Sequence, residues 1–260
     1  MTNLIVSIIQ TNLHWENSAK NIAHFETKIN ALAEPTDIIV LPEMFTTGFT
    51  MNPKLLAEEH GGNGLQWMIK KAKEKNCVLT GSISVKENNQ FYNRLYWVKP
   101  DGSYEFYNKR HLFKMGNEHQ CYTAGNKKLI IEYKGWKICP LICYDLRFPV
   151  WSRNTKDIPY DVLIYVANWP EVRAYPWKQL LIARAIENQT YVVGVNRIGG
   201  DGSAITHSGD SCIINPKGEV ISHIQPHQDK TETLSLSFDY LQDFRKAFPV
   251  LLDGDEFDIR

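Results

Sequence analysis

Short apolar runs rich in β-branched residues alternate along this chain with stretches in which apolar positions recur every three or four residues. The first run, LIVSIIQ (Leu4 to Gln10), predicts a buried strand. Asn17 and Ser18 then offer N-caps to a helix carrying Ile22, Phe25, Ile29 and Leu32 on one face, and Pro35 closes it. DIIVLPE (Asp37 to Glu43) predicts a second buried strand ending in a carboxylate, and Leu65, Met68, Ile69 and Ala72 mark a second helix. CVLTGSISV, FYNRLYWV, KLIIEY and WKICPLIC predict further strands, the last running to Cys143. DVLIYVANWP adds another (Asp161 to Ala167), before a helix from about Pro176 to Gln189 with Pro176 in its first turn. TYVVGVNR, SCIIN, EVISHI and TLSLSF complete the series.

The early strand–helix units predict parallel pairing. Phe91 to Val98 with Tyr104 to Tyr107, and Ser211 to Asn215 with Glu219 to Ile224, read as antiparallel hairpins turned by Pro100-Asp101-Gly102 and Asn215-Pro216-Lys217-Gly218. Mixed sheets with helices on their outer faces follow, an α/β fold. No repeat, low-complexity tract or linker divides the chain, so residues 1–260 are read as one domain. Its C-terminal piece, from about residue 239, reads as a short helix and then an extended acidic tail.

Composition narrows the partners. Of the 260 residues, 43% are hydrophobic and 22% charged, as in an ordinary globular chain with a sizeable core. Lys+Arg and Asp+Glu both number 29, so the net charge is zero and nothing draws nucleic acid or an anionic membrane to the chain. A small solute is the expected partner. The N-terminus lacks a basic region and a long apolar stretch, and no apolar run is long enough to span a bilayer. Five cysteines, an odd number spread widely, argue for a reducing, cytoplasmic setting with at least one free thiol.

Three positions invite chemistry. Glu43 follows a buried strand, where low-dielectric surroundings raise a carboxylate toward a general-base pKa, although most strand-end carboxylates cap a segment or face water. Cys143 ends an apolar strand at a turn, where backbone N–H groups stabilise a thiolate or an oxyanion, although most cysteines are simply buried. Lys109 lies in the basic segment FYNKRHLFKMGNEHQC, and such clusters usually form a solvated face. That segment also holds His111, Glu118 and His119, but their spacing is unlike a helical metal-ligand pair, and Cys139 and Cys143 are too far apart for a CxxC pair. No metal is expected. None of the eight histidines stands in a recognisable Cys/His arrangement.

Together LPEMF around Glu43, Lys109-Arg110-His111-Leu112-Phe113 and the Cys143 turn CYDLRFP resemble the nitrilase, or carbon–nitrogen hydrolase, superfamily, in its order and at its separations. ANWP (Ala167 to Pro170), ARAIENQ (Ala183 to Gln189) and the GDS segment (Gly209 to Ser211) extend the likeness over nearly the whole chain. NWPEVRAYPW and FRKAFPVLLDGDEF are most similar to the bacterial omega-amidases, which hydrolyse the distal amide of 2-oxoglutaramate.

The resemblance implies a four-layer α-β-β-α sandwich, commonly assembled as a homodimer, with no cofactor. It implies that Cys143 attacks the amide carbonyl, Glu43 shuttles the proton, and Lys109 with the backbone N–H of Tyr144 holds the oxyanion, while Glu118 orients Lys109 and the substrate. The substrate's carboxylate needs a cation. Arg173, in the loop before the Pro176 helix, is the candidate, and Arg147 is expected to pair with Asp145 or a neighbouring acid. Phe45, Trp169 and Trp177 are candidate apolar walls. The triad leaves open the other activities of the superfamily: an aliphatic amidase, a nitrilase or an N-carbamoyl amino acid hydrolase. A binding module would have no need of the nucleophile.

Overall fold

The structure, a computed structural model, describes residues 2–157 and 159–259. Met1 and Arg260, the ends of the expected domain and tail, lie outside the described residues. The elements run β1 (Leu4–Gln10), α1 (Ser18–Asn30), β2 (Ile38–Val40), α2 (Pro53–Leu56), β3 (Glu58–Glu59), α3 (Asn63–Lys75), β4 (Val78–Glu87), β5 (Gln90–Val98) and β6 (Tyr104–Asn108). They continue with α4 (Glu118–Cys121), β7 (Ile131–Tyr133), β8 (Trp136–Ile142), α5 (Pro149–Ser152), β9 (Val162–Ala167), α6 (Ala174–Asn188), β10 (Tyr191–Asn196), β11 (Ile198–Gly200), β12 (Thr206–Ser208), β13 (Cys212–Ile214), β14 (Lys230–Leu236) and α7 (Phe238–Ala247).

Two sheets form the inner layers. One runs β14-β1-β2-β4-β5-β6 with β3 beside β4, and the other runs β13-β10-β9-β8-β7. In the first sheet β1, β2 and β4 are parallel, and in the second β8, β9 and β10 are parallel. Period-two alternation sends each strand's residues to opposite faces. Leu4, Val6, Ile8, Ile38 and Val40 join the core that the two sheets share, while Ile9, Ile39 and Leu41 pack with Phe25, Ile29, Leu65 and Met68 of α1 and α3. On the far side, α6 and α7 cover the second sheet with Trp177, Leu181, Ala185 and Leu241. The result is the expected four-layer α-β-β-α arrangement.

Local chemistry sets the ends of these elements. Asn17 caps α1 by accepting from Lys20 N at 3.0 Å. The β4–β5 hairpin turns at Asn88 and Asn89, both in the left-handed region that Asn tolerates. Of the predicted Asp37–Glu43 strand only Ile38–Val40 forms the ladder; Leu41 N still donates to Thr80 O at 2.8 Å, but Pro42 has no N–H and Met44 turns at positive φ, so Glu43 sits in a turn at the strand's end. Helix α6 starts two residues before Pro176 and ends one before Gln189, which closes it at φ 44°.

The predicted hairpin over Ser211–Asn215 and Glu219–Ile224 does not form as a ladder. Asn215 Oδ1 takes up Lys217 N and Glu219 N, and the returning chain keeps a single bridge between Ile214 and Val220. The β11–β12 hairpin, unforeseen, forms instead. After α7 the tail makes a turn over Val250–Asp253, and residues 254–259 line a pocket together with Lys128, Trp151 and Arg153 of the same chain.

Candidate active site

The carboxyl ends of parallel strands from both sheets meet at one place, where ligands of α/β folds commonly bind. Strand β8 stops at Ile142, and Cys143 opens a tight 3-10 turn through Arg147 with φ at +43°. A side chain tolerates that backbone only where its surroundings over-determine it. Asp145 does so. Its Oδ2 accepts from Ile142 N at 3.0 Å and from the Tyr107 hydroxyl at 2.8 Å, and its Oδ1 accepts from His111 N at 3.0 Å and His111 Nδ1 at 2.8 Å. With both oxygens so occupied, Asp145 does not pair with Arg147, contrary to the expectation from their spacing.

Glu43, Lys109 and Glu118 come together, all three closed to solvent. Lys109 Nζ donates to Glu43 Oε1 at 2.8 Å and to Glu118 Oε2 at 2.9 Å and Oε1 at 3.1 Å. Asn93 bridges the carboxylates, donating to Glu43 Oε1 at 2.8 Å and Glu118 Oε1 at 3.0 Å. The Asn168 backbone N–H holds Glu43 Oε2 at 2.8 Å, and the Phe113 N–H holds Glu118 Oε2 at 2.6 Å. Burial opposes the charge on Lys109, but Glu118 and Glu43 more than restore it, so its pKa lies above the usual lysine value. Burial raises Glu118, with Lys109 pulling against it. Burial, the Glu43 charge and a hydrogen bond to Glu43 together hold the Cys143 thiol protonated well above its ordinary range, opposed by Lys109.

Cys143 opens onto a pocket of about 170 Å³. Trp169, Arg147 and Arg173 line it, with Tyr144, Phe49, Phe113, Asn168 and His207. The Arg147 guanidinium lies 4.9 Å above the Trp169 ring, and that of Arg173 lies 5.4 Å above Phe113. Neither arginine forms an ion pair among the described residues. Phe45 does not reach the pocket. It packs between Phe25 at 5.6 Å and Trp67 at 5.7 Å, in the cluster under α1 and α3, because the chain turns after Glu43 with Met44 at positive φ. Trp177 stands behind Trp169, 5.4 Å away, and donates to Asp210 O.

Sequence reading missed Asn93, the pocket side of Arg147, and the β11–β12 hairpin that brings His207 to the wall. Asn168 stood within the quoted ANWP segment, but only the tertiary bond to Glu43 gives it a place. Among the described residues no group of three or more His, Cys, Asp and Glu is placed to hold a metal ion. His111 is tied to Asp145 instead.

A strand-end cysteine beside a buried Glu–Lys–Glu cluster, between two sheets faced by helices, defines a class of hydrolase. The chain belongs to the carbon-nitrogen hydrolase family, whose model matches residues 5–246. It is 45% identical to the omega-amidase YafV of Escherichia coli (strain K12), over 99% of both chains, and 37% identical to the 2-oxoglutaramate amidase of Bacillus subtilis (strain 168), over 84% of this chain and 85% of that one. A CN-hydrolase superfamily protein of Xanthomonas campestris, solved with an arsenic adduct in its active site, superposes with a TM-score of 0.97 over the whole of both chains at 41% identity.

Proposed function

We propose that this enzyme is an omega-amidase that hydrolyses the distal amide of a small 2-oxo dicarboxylic monoamide, 2-oxoglutaramate or 2-oxosuccinamate, to the 2-oxo acid and ammonia. The observation that carries the reading is one pocket lined by Cys143 and two arginines, Arg147 and Arg173, that have no acidic partner among the described residues. A substrate with an amide at one end and a carboxylate at the other fits that polarity. Full-length likeness to an omega-amidase supports it.

In this reading the resting thiol is neutral, so Glu43 takes its proton as the sulfur attacks the amide carbon. The carbonyl π pair moves to oxygen, and Lys109 with the Tyr144 backbone N–H meets that charge. Lys109 stays cationic throughout because two carboxylates flank it. Glu43 then protonates the nitrogen, the C–N bond breaks and ammonia leaves a thioester on Cys143. A water molecule, giving its proton to Glu43, attacks the thioester and frees the acid and the thiol. Glu118 orients Lys109, and Trp169 walls the pocket.

Ammonia release from purified protein over 2-oxoglutaramate, glutamine, a simple nitrile and a carbamoyl amino acid tests the assignment. The highest kcat/KM is expected for 2-oxoglutaramate. Faster turnover of the nitrile or the carbamoyl compound would refute it.

The same reading takes the chain as one catalytic domain, in a cytoplasmic setting, acting as a homodimer. Free cysteines at all five positions support the reducing compartment. Among the described residues, no helix is long and apolar enough to cross a membrane. Exposed apolar side chains near the end of α6 (Ile186), after α7 (Phe248) and in the following turn (Leu252) support a covered face there. Mass measurement in solution by light scattering tests the dimer, and a monomer at micromolar concentration would count against it.

A further inference from the structure

Asn168 directly follows β9 and stands in the pocket wall, 5% exposed. Its backbone N–H donates to Glu43 Oε2, and its side-chain Nδ2 donates to the Glu43 main-chain oxygen at 2.5 Å. A carbonyl oxygen only accepts, so this second bond fixes the amide's orientation: nitrogen toward Glu43, oxygen at the other end. That oxygen, Asn168 Oδ1, is buried and has no donor. Buried acceptors are nearly always satisfied, so a bare one on a residue that lines the Cys143 pocket points to a ligand donor. Asn93 Oδ1 is bare as well, but Asn93 is not part of the pocket wall.

We infer that Asn168 Oδ1 accepts a hydrogen bond from the –NH2 of the scissile carboxamide, and that this contact makes the site select primary amides over acyl groups that lack an N–H. The inference rests on the proposed attack by Cys143. Glu43 Oε1 already accepts from Lys109 and Asn93, which leaves Oε2, held by one backbone donor, as the oxygen with room to exchange a proton. The residue holding Oε2 therefore also presents the acceptor for the substrate nitrogen. When sulfur adds to the carbonyl carbon, the nitrogen lone pair leaves conjugation and becomes basic. An N–H anchored on Asn168 turns that lone pair toward Glu43, which delivers the proton taken from the thiol. The C–N bond then breaks, its electron pair leaves with ammonia, and the carbonyl re-forms as the thioester. A nitrile or an ester offers Asn168 no hydrogen and leaves its oxygen unpaired, which is how polar sites reject near-isosteres.

Wild-type enzyme, Asn168→Ala and Asn168→Ser are to be compared on 2-oxoglutaramate and on the 5-methyl ester of 2-oxoglutarate, which has the same acyl group and no N–H. Asn168→Ala is expected to lower kcat/KM for the amide roughly 10-fold more than for the ester, with Asn168→Ser in between. Equal losses on both substrates overturn the inference, since Asn168 would then act only by holding Glu43. An independent measurement uses Cys143→Ala, which binds without turnover. The amide is expected to bind several-fold more tightly than the ester, and equal binding overturns the inference whatever the Asn168 variants do. A wild-type enzyme inactive on every amide refutes the proposed function instead; an active one with an unchanged amide-to-ester ratio refutes this assignment alone.

Discussion

The Lys109 ammonium lies 2.8 Å from the Glu43 carboxylate, and both side chains are wholly closed to solvent. A pair this deep is costly to form and costlier to break from one side, because the survivor remains as an uncompensated charge. Lys109→Met leaves Glu43 and Glu118 facing each other without a cation. Unfolding by urea should show a loss of about 3–5 kcal/mol. Turnover should fall by at least roughly 10²-fold through the missing oxyanion charge. Near-wild-type stability together with near-wild-type kcat would remove Lys109 from both roles.

Cys143→Ala should abolish ammonia release while leaving the fold in place, since the methyl side chain fits where the thiol is. Wild-type protein quenched during turnover should carry an acyl adduct on Cys143 by mass spectrometry. Detectable steady-state hydrolysis by the variant would end the thioester mechanism.

Arg147 and Arg173 each face the pocket from an aromatic support. If they hold the substrate carboxylate, Arg147→Ala and Arg173→Ala should each raise KM for 2-oxoglutaramate about 10–100-fold, the worth of a charge-assisted hydrogen bond. Hydrolysis of an uncharged short-chain amide should change little. Equal effects on both substrates would show that the arginines shape the pocket without reading charge.

His207, in the pocket wall, is held down at about 4 by burial first and then by the Arg197 charge, against an ordinary value of 6.5. Between those values the unfolded chain binds a proton that the folded chain refuses. This contribution to stability is therefore whole above pH 6.5 and is lost as pH falls toward 4, by about 3 kcal/mol in all. Thermal melts across that window should show a shallower decline for His207→Gln than for wild type. Parallel curves would mean that His207 is not the group responsible.

Gly125 accepts no side chain. A Cβ there would stand 2.1 Å from the Asn108 main-chain oxygen, one residue before Lys109, and Gly125 N also donates to Lys109 O at 2.9 Å. Gly125→Ala should displace the end of β6, lowering both Tm and kcat. An unshifted melt with full activity would show that this backbone contact gives way freely.

Much of this molecule was written locally. Residue spacing sufficed for Leu4–Gln10, for the helix capped by Asn17, and for the hairpin of β5 with β6, because alternation, capping and turn chemistry act over a few residues. The motifs around Glu43, Lys109 and Cys143 marked the candidate reactive positions, since each needs its own flanking backbone: Pro42 to end pairing before Glu43, and Asp145 to hold the turn at Cys143. Tertiary structure decided what those positions face. Phe45 and Arg147 each lie within four residues of Glu43 or Cys143, yet the turn at Met44 sends Phe45 under α1 and α3, and the Tyr107 and His111 contacts on Asp145 leave Arg147 to the pocket. Asn93, Asn168 and His207 reach the site from distant strands, over separations that no local pattern encodes. The sequence by itself determined the family and picked out Glu43, Lys109 and Cys143 as the candidate reactive positions. Packing two sheets against each other decided which polar groups surround it, because only there does desolvation make each unpaired donor or acceptor matter.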